Sequence, residues 1–251
     1  MRSIFPRAKP FFSPPNMLSL LNLFSGFLSL LAAARGDYLT AAWLIPLAMV
    51  WDSLDGNVAR IFKMSSQFGR ELDSLADVIS FVVVPPFLMS QIFSHETSTW
   101  LLPMFFLYVG SGTYRLARFN TKPPVTHSFE GLPTPAAAAC LSAMILMQLK
   151  NQWLSFEQFR FVATFLLMVL SFLMVSKIYY PKLTAVKQAK WKFFYVGVFF
   201  LALAAFLVFG IEAAGLAVLF SYLIASPLYA IGTRVIYSKQ AKPLEPAARN
   251  L

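Results

Sequence analysis

Charge and cysteine are scarce in this chain, and each scarcity removes a class of protein. Only 13% of the 251 residues are Asp, Glu, Lys or Arg, whereas 58% are hydrophobic and the mean hydropathy is +0.63. A soluble domain of this length has no interior large enough for that apolar content, so a polytopic membrane protein is the natural reading. The single cysteine, Cys140, excludes an intrachain disulfide. With only two histidines beside it, no Cys or His cluster is present to hold zinc. Low-complexity tracts and short repeats are also missing.

What the chain has in abundance is apolar sequence in runs that can cross a hydrocarbon core of roughly 30 Å. Eight spans are predicted, at 17–34, 38–61, 72–93, 100–118, 134–149, 161–175, 191–209 and 213–237. The expected fold class is therefore all-α and integral to the membrane, a polytopic helical bundle of about eight helices. Pro46, Pro85, Pro86 and Pro227 fall inside spans and are expected to kink them, with neighbouring helices satisfying the freed carbonyls. Residues 1–15 read as a cytoplasmic or interfacial arm, 16–180 as the helical core, 181–237 as additional C-terminal helices and 238–251 as a cytoplasmic tail.

The formal net charge of +10 does not point to nucleic acid, because Lys and Arg cluster between apolar runs instead of along one soluble face. With the N-terminus in the cytoplasm, all but Arg35, Lys150 and Arg160 of the 21 basic residues fall on the inner side. Basic flanks are retained there, so both termini are expected in the cytoplasm and the site below is expected to open toward it. Arg2, Arg7 and Lys9 before an apolar run ending in Ala32, Ala33 and Ala34 also imitate a secretory signal peptide. Against that, Asn16, Ser19 and Asn22 recur at helical spacing on one face, which a disposable segment has no need of.

The chain has only five aspartates, and four lie in the stretch WDSLDGNVARIFKMSSQFGRELDSLADVIS. At about 3.6 residues per turn, Asp52, Asp55, Gly56 and Ala59 share one stripe of the second span. Gly69, Asp73 and Asp77 share one stripe of the third, and the short connection between the spans lets the two stripes face each other. Four carboxylates gathered near a bilayer interior need protonation, basic partners or bound cations. Two divalent cations would neutralise them, and oxygen ligands suit magnesium or manganese. Gly56, Ala59 and Gly69 remove bulk where a diphosphate or the opposing helix must come close, and Arg60 is placed to reach a phosphate oxygen. The plainer reading is that the aspartates pair with Arg60, Lys63 and Arg70 at a helix end. From another class of protein, the carboxylates could line the cation pathway of a transporter.

The pattern D-x-x-D-G-x-x-A-R, eight residues, then G-x-x-x-D-x-x-x-D, matched at every fixed position from Asp52 to Asp77, resembles the signature of the CDP-alcohol phosphotransferases. The resemblance implies a two-metal site of Asp52, Asp55, Asp73 and Asp77, with Mg2+ or Mn2+ bound. It also implies that Asp77 takes the acceptor proton and that the CDP moiety lies against Asn16, Ser19, Asn22, Asp55, Gly56, Ala59, Arg60 and Gly69. Within the family, Y-R-x-A-R-F-N at Tyr114 to Asn120, G-L-P-x-P at Gly131 to Pro135 and P-N-x-x-S-x-x-N at Pro15 to Asn22 look like the membrane phosphatidylserine synthases.

That resemblance implies CDP-diacylglycerol and L-serine as substrates, CMP as a product, a homodimer, and a site at the inner face of the cytoplasmic membrane. A carboxylate-bearing acceptor gives a guanidinium near the metals an evident purpose. Arg115, Arg118 and Asn120 are therefore candidate contacts for the acceptor or for lipid phosphate, with the choice between the arginines open. Glycerol phosphate, an inositol phosphate or choline is the alternative acceptor. His127 reads as a solvated residue, His95 as lying on the outer side, Lys177, Lys182, Lys187, Lys190 and Lys192 as a topological and lipid-headgroup cluster, and Tyr179 and Tyr180 as an interfacial belt.

Overall fold

The computed structural model describes residues 13–62, 64, 66–93, 101–121 and 128–181. The arm before residue 13, the spans at 191–209 and 213–237, the tail, His95, His127 and the lysines from Lys182 to Lys192 lie outside the described residues. Each of the other six expected spans contains a helix.

Helix α1 (Pro14–Ala34) opens with prolines at its first positions, where the missing N–H has no intrahelical partner to lose. Its buried face consists of Pro15, Asn16, Ser19, Asn22, Ser25, Gly26, Ser29 and Ala33. Met17, Leu21, Phe24, Phe27 and Leu31 face outward. A helix in water buries the apolar stripe, so this inverted pattern is that of a helix with small polar residues against its neighbours and lipid outside. Together with the 20-residue and 26-residue apolar helices at Phe156–Val175 and Gln67–Ile92, α1 is one of three described helices long and apolar enough to cross a membrane.

A tight turn with Gly36 at φ +81° leads to Asp37, whose side chain accepts from the Thr40 amide at 3.1 Å and caps helix α2 (Tyr38–Ile61). That hydrogen bonding holds the Asp37 carboxyl below its ordinary pKa. Inside α2, Pro46 has no N–H for the Ala42 carbonyl four residues earlier. The Ser142 hydroxyl, from a helix a hundred residues along the chain, donates to that oxygen at 2.6 Å.

Helix α3 (Gln67–Asp77) starts at Ser66, whose hydroxyl accepts from the Gly69 amide at 2.9 Å. It runs without a break into a π-helical segment (Val78–Val83) and then helix α4 (Val84–Ile92). Helix α5 (Leu101–Thr121) follows, then strand β1 (Ser128–Glu130), helix α6 (Thr134–Asn151), helix α7 (Phe156–Val175) and strand β2 (Tyr179–Pro181). The two strands pair antiparallel over three residues each, a small addition to the expected all-α fold.

Helix α7 begins five residues before the expected start. A reciprocal capping box between Ser155 and Gln158 starts it, and its polar first turns, with Glu157 and Arg160, hide that beginning from a hydropathy reading. Helix α1 lies along α2 and also touches α3, the π segment and α4, while α5 packs on α7 and α2 on α6. Phe81, Leu88, Phe93, Tyr108, Leu141 and Phe159 are fully enclosed at the centre. The Phe93 ring stands edge-on to Phe159 at 5.7 Å.

Candidate active site

The facing of the two aspartate stripes follows from α2 and α3 being joined by a short turn and both lying against α1. Ligand oxygens of Asp52, Asp55 and Asp73 come within 4.8 Å of one another. Asp55 and Asp77 are buried, and Asp52 and Asp73 half-buried. Helix α1 supplies hydroxyl and amide donors: Ser19 Oγ donates to Asp55 Oδ2 at 2.7 Å, and Asn22 Nδ2 to Asp77 Oδ1 at 3.1 Å. Asp73 Oδ1 is buried without a hydrogen-bond partner. A set of hard oxygen donors, converging and with one oxygen unsatisfied, fits a divalent cation of the magnesium or manganese type.

Asp55 and Asp73 form part of the wall of an open cleft lined by residues of α1, α2, α3 and the α2–α3 turn. Seven sequence-predicted residues meet there: Asn16, Ser19, Asp55, Gly56, Ala59, Gly69 and Asp73. The glycines divide into two kinds. A Cβ on Gly56 would meet nothing within 4 Å, so this face is bare toward the cleft. A Cβ on Gly69 would come within 2.9 Å of Asn16 Oδ1, so Gly69 admits α1 to α3.

Other expected contacts are placed differently. Asn22 is not among the residues lining the cleft; it lies fully buried against Asp77. Arg60 does not reach into the cleft: its Nε donates to the Gly56 carbonyl at 3.0 Å and its Nη2 to Asn57 Oδ1 at 2.7 Å. An arginine one turn along its own helix finds those acceptors without crossing any space. Neither Arg60 nor Arg70 forms an ion pair with the aspartates, which removes most of the plainer reading; Lys63 lies outside the described residues.

Arg70 instead lines the cleft with Pro15, Met64 and Ser66, four residues not singled out as substrate contacts from the sequence. Ser66 carried a readable signal, a serine three residues before Gly69 at a helix start. The placements of Arg70 and Met64 depend on the path of the turn.

The two candidate arginines of α5 separate clearly. Arg115 is buried at 5% exposure, its Nη1 donates to Thr134 Oγ1 at 3.2 Å, and its charge acts on Asp52 and Asp77. Arg118 points to the end of α7, donating to the Val175 carbonyl at 2.9 Å and the Glu130 carbonyl at 2.8 Å, with Met174 and Ser176 carbonyls at 3.3 Å. Its guanidinium gathers the unpaired carbonyls of a helix C-terminus, which any cation favours. Gly131, at φ +81°, donates its amide to the Ile178 carbonyl at 2.8 Å in the same junction. Asn120 is likewise engaged between helices, donating to Ser74 Oγ at 3.0 Å and Glu71 Oε2 at 3.2 Å.

Fold and site together define a helical membrane protein with a polycarboxylate centre, suited to divalent cations, at the wall of an open cleft. A family model described as CDP-alcohol phosphatidyltransferase matches residues 12–173, and the chain belongs to that family. Similar proteins include a CDP-diacylglycerol–serine O-phosphatidyltransferase of Helicobacter pylori, 35% identical over 77% of this chain and 82% of its own. The archaetidylserine synthase of Methanothermobacter thermautotrophicus is 37% identical over 68% of this chain and 71% of its own. A CDP-diacylglycerol–serine O-phosphatidyltransferase of Saccharomyces cerevisiae is 38% identical over 51% of each chain.

Proposed function

We propose that this protein is a CDP-diacylglycerol–serine O-phosphatidyltransferase. The observation that carries the reading is the convergence of Asp52, Asp55 and Asp73, the latter two in the wall of a cleft also lined by Asn16, Ser19 and Gly56. The choice of serine is supported by the names of relatives from bacteria, archaea and yeast. A cation pathway explains the carboxylates but gives no reason for the adjoining cleft or for membership in a transferase family.

In this reading Asp52, Asp55, Asp73 and Asp77 hold two divalent cations, Mg2+ or Mn2+. Such cations neutralise charge on the diphosphate and on the departing phosphate. The CDP part of the donor lies along Asn16, Ser19, Gly56 and Ala59, where Gly56 leaves room for it. Arg70 at the cleft wall adds a cation for the diphosphate. Asp77 accepts the proton of the serine hydroxyl as that oxygen bonds to the phosphorus carrying diacylglycerol. The bond from that phosphorus to the bridging oxygen breaks, and CMP leaves with the electron pair. Arg115, buried and within electrostatic reach of Asp52 and Asp77, receives the serine carboxylate.

The wider arrangement belongs to the same proposal: eight spans, residues 16–180 as the catalytic core, both termini and the cleft on the cytoplasmic side of the inner membrane, and a homodimer. The basic-residue asymmetry supports the orientation. Purified protein in detergent, given CDP-diacylglycerol, Mg2+ or Mn2+ and one alcohol at a time, tests the function. Release of CMP with serine, and not with glycerol phosphate, inositol phosphate or choline, is expected. Selective product from another acceptor would reject the serine assignment, and cation flux without CMP would reject the enzyme.

A further inference from the structure

The π-helical segment begins immediately after Asp77, and contacts from α1 and α5 hold it. Pro85 and Pro86 both lack an N–H. The Phe81 carbonyl therefore has no donor from the residue four along, as in an α-helix, nor from the residue five along, as in a π-helix. It is enclosed in the core, where an unpaired carbonyl is costly. The Tyr108 hydroxyl of α5, itself fully buried, donates to it at 3.2 Å.

Two further contacts fix the same segment. Ser80 Oγ donates to the Asn22 carbonyl of α1 at 2.9 Å, and Gly112 on α5 lets Val82 approach so closely that a Cβ there would lie 2.7 Å from Val82 Cγ2.

A π segment holds one more residue than the α-helical turns it replaces, and one residue is about 100° of rotation. Relaxing the segment to α-helix would therefore turn everything before it by about that angle relative to everything after it. Helix α4 cannot turn, because Leu88 and Met89 are packed in the core. The rotation would fall on α3, sweeping Asp73 and Asp77 away from Asp52 and Asp55. The π register is thus what allows α4 to bury its apolar face while α3 presents its aspartates.

We infer that Tyr108 is a positioning residue for the metal site: by satisfying the Phe81 carbonyl it holds the π register that sets Asp73 and Asp77 opposite Asp52 and Asp55. The inference rests on the reading of these aspartates as cation ligands.

The test is Mn2+ binding to the full-length protein in detergent, without substrate, followed by the loss of the free-ion electron paramagnetic resonance signal, for wild type and Tyr108→Phe. The ring is kept and only the hydroxyl is lost. We expect Mn2+ affinity and kcat each to fall about tenfold, the usual effect of losing a contact that orients metal ligands, with KM for serine and for CDP-diacylglycerol changing by less than about twofold. Ser142→Ala is the matched control, since it removes the same kind of hydroxyl from a proline-freed carbonyl in α2. It should lower thermal stability and leave Mn2+ affinity unchanged.

Tyr108→Phe with Mn2+ affinity and kcat within about twofold of wild type would overturn the inference, whatever its melting temperature. Should that variant not survive purification, Ser80→Ala removes the neighbouring contact and is judged by the same readings. Wild type that binds no Mn2+ would instead refute the metal reading itself.

Discussion

Ser19 on α1 donates its hydroxyl to the Asp55 carboxylate of α2 at 2.7 Å, so a residue 36 positions earlier in the chain holds one of the four acidic groups in place. Hydrogen bonds to charged groups contribute about 1.5–3 kcal/mol, which corresponds to a factor of roughly ten to a hundred. Ser19→Ala is expected to lower kcat/KM for CDP-diacylglycerol toward the smaller end of that range and to raise the Mg2+ concentration needed for half-maximal rate. Steady-state CMP release over a Mg2+ titration measures both.

The buried, unpartnered Asp73 Oδ1 is expected to be a ligand atom. Exhaustive chelation should abolish turnover, and Mg2+ or Mn2+ should restore it. Asp73→Asn keeps the shape but not the charge, and is expected to reduce kcat at least roughly a hundredfold while the protein still folds, because ligand loss removes charge stabilisation at the reacting phosphorus. Folding is checked by thermal denaturation beside the activity assay.

Arg115 and Arg118 differ in what they touch, so their variants should fail differently. Arg115→Gln is expected to raise KM for serine by roughly ten- to hundredfold, the worth of a charge-assisted contact. Arg118→Gln is expected to leave that KM within a few-fold and to destabilise the protein by about 1–3 kcal/mol, because it strips donors from the C-terminal carbonyls of α7. Serine titrations and melting curves on both variants separate the two outcomes.

Gly131 combines a left-handed φ of +81° with carbonyls on two sides, since a Cβ would collide with the Met174 oxygen and lie 3.1 Å from that of Ser176. The backbone penalty alone is about 1–2 kcal/mol. Gly131→Ala is expected to lower the melting temperature by several degrees or to prevent accumulation in the membrane, as measured by fluorescence-detected size-exclusion chromatography.

The aspartate site and the polar face of α1 were legible because both obey the helical period, and a stripe of like residues survives small errors in helix boundaries. Helices in six of the expected stretches were legible for the same reason, since apolar length is a coarse property, and three of them are long and apolar enough to cross a membrane. The π segment was not, because a one-residue change of phase leaves no periodic trace. Only the Pro85–Pro86 pair hints that backbone groups nearby need outside partners. The separate contacts of Arg115 and Arg118 depend on which side of α5 meets α7, and Arg60's inward turn on its own helix depends on acceptors that any helix offers. Arg70 was visible as a charge but not as a wall of the cleft, because its place is set by the path of the α2–α3 turn.

The most direct measurement of the central claim uses purified protein, Mg2+, CDP-diacylglycerol and L-serine labelled with 18O in its hydroxyl. Hydroxyl attack on the phosphorus carrying diacylglycerol predicts phosphatidylserine and CMP in equal amounts, with the label retained in the ester oxygen of phosphatidylserine and missing from CMP. Label in CMP, or CMP formed without matching phosphatidylserine, would contradict it.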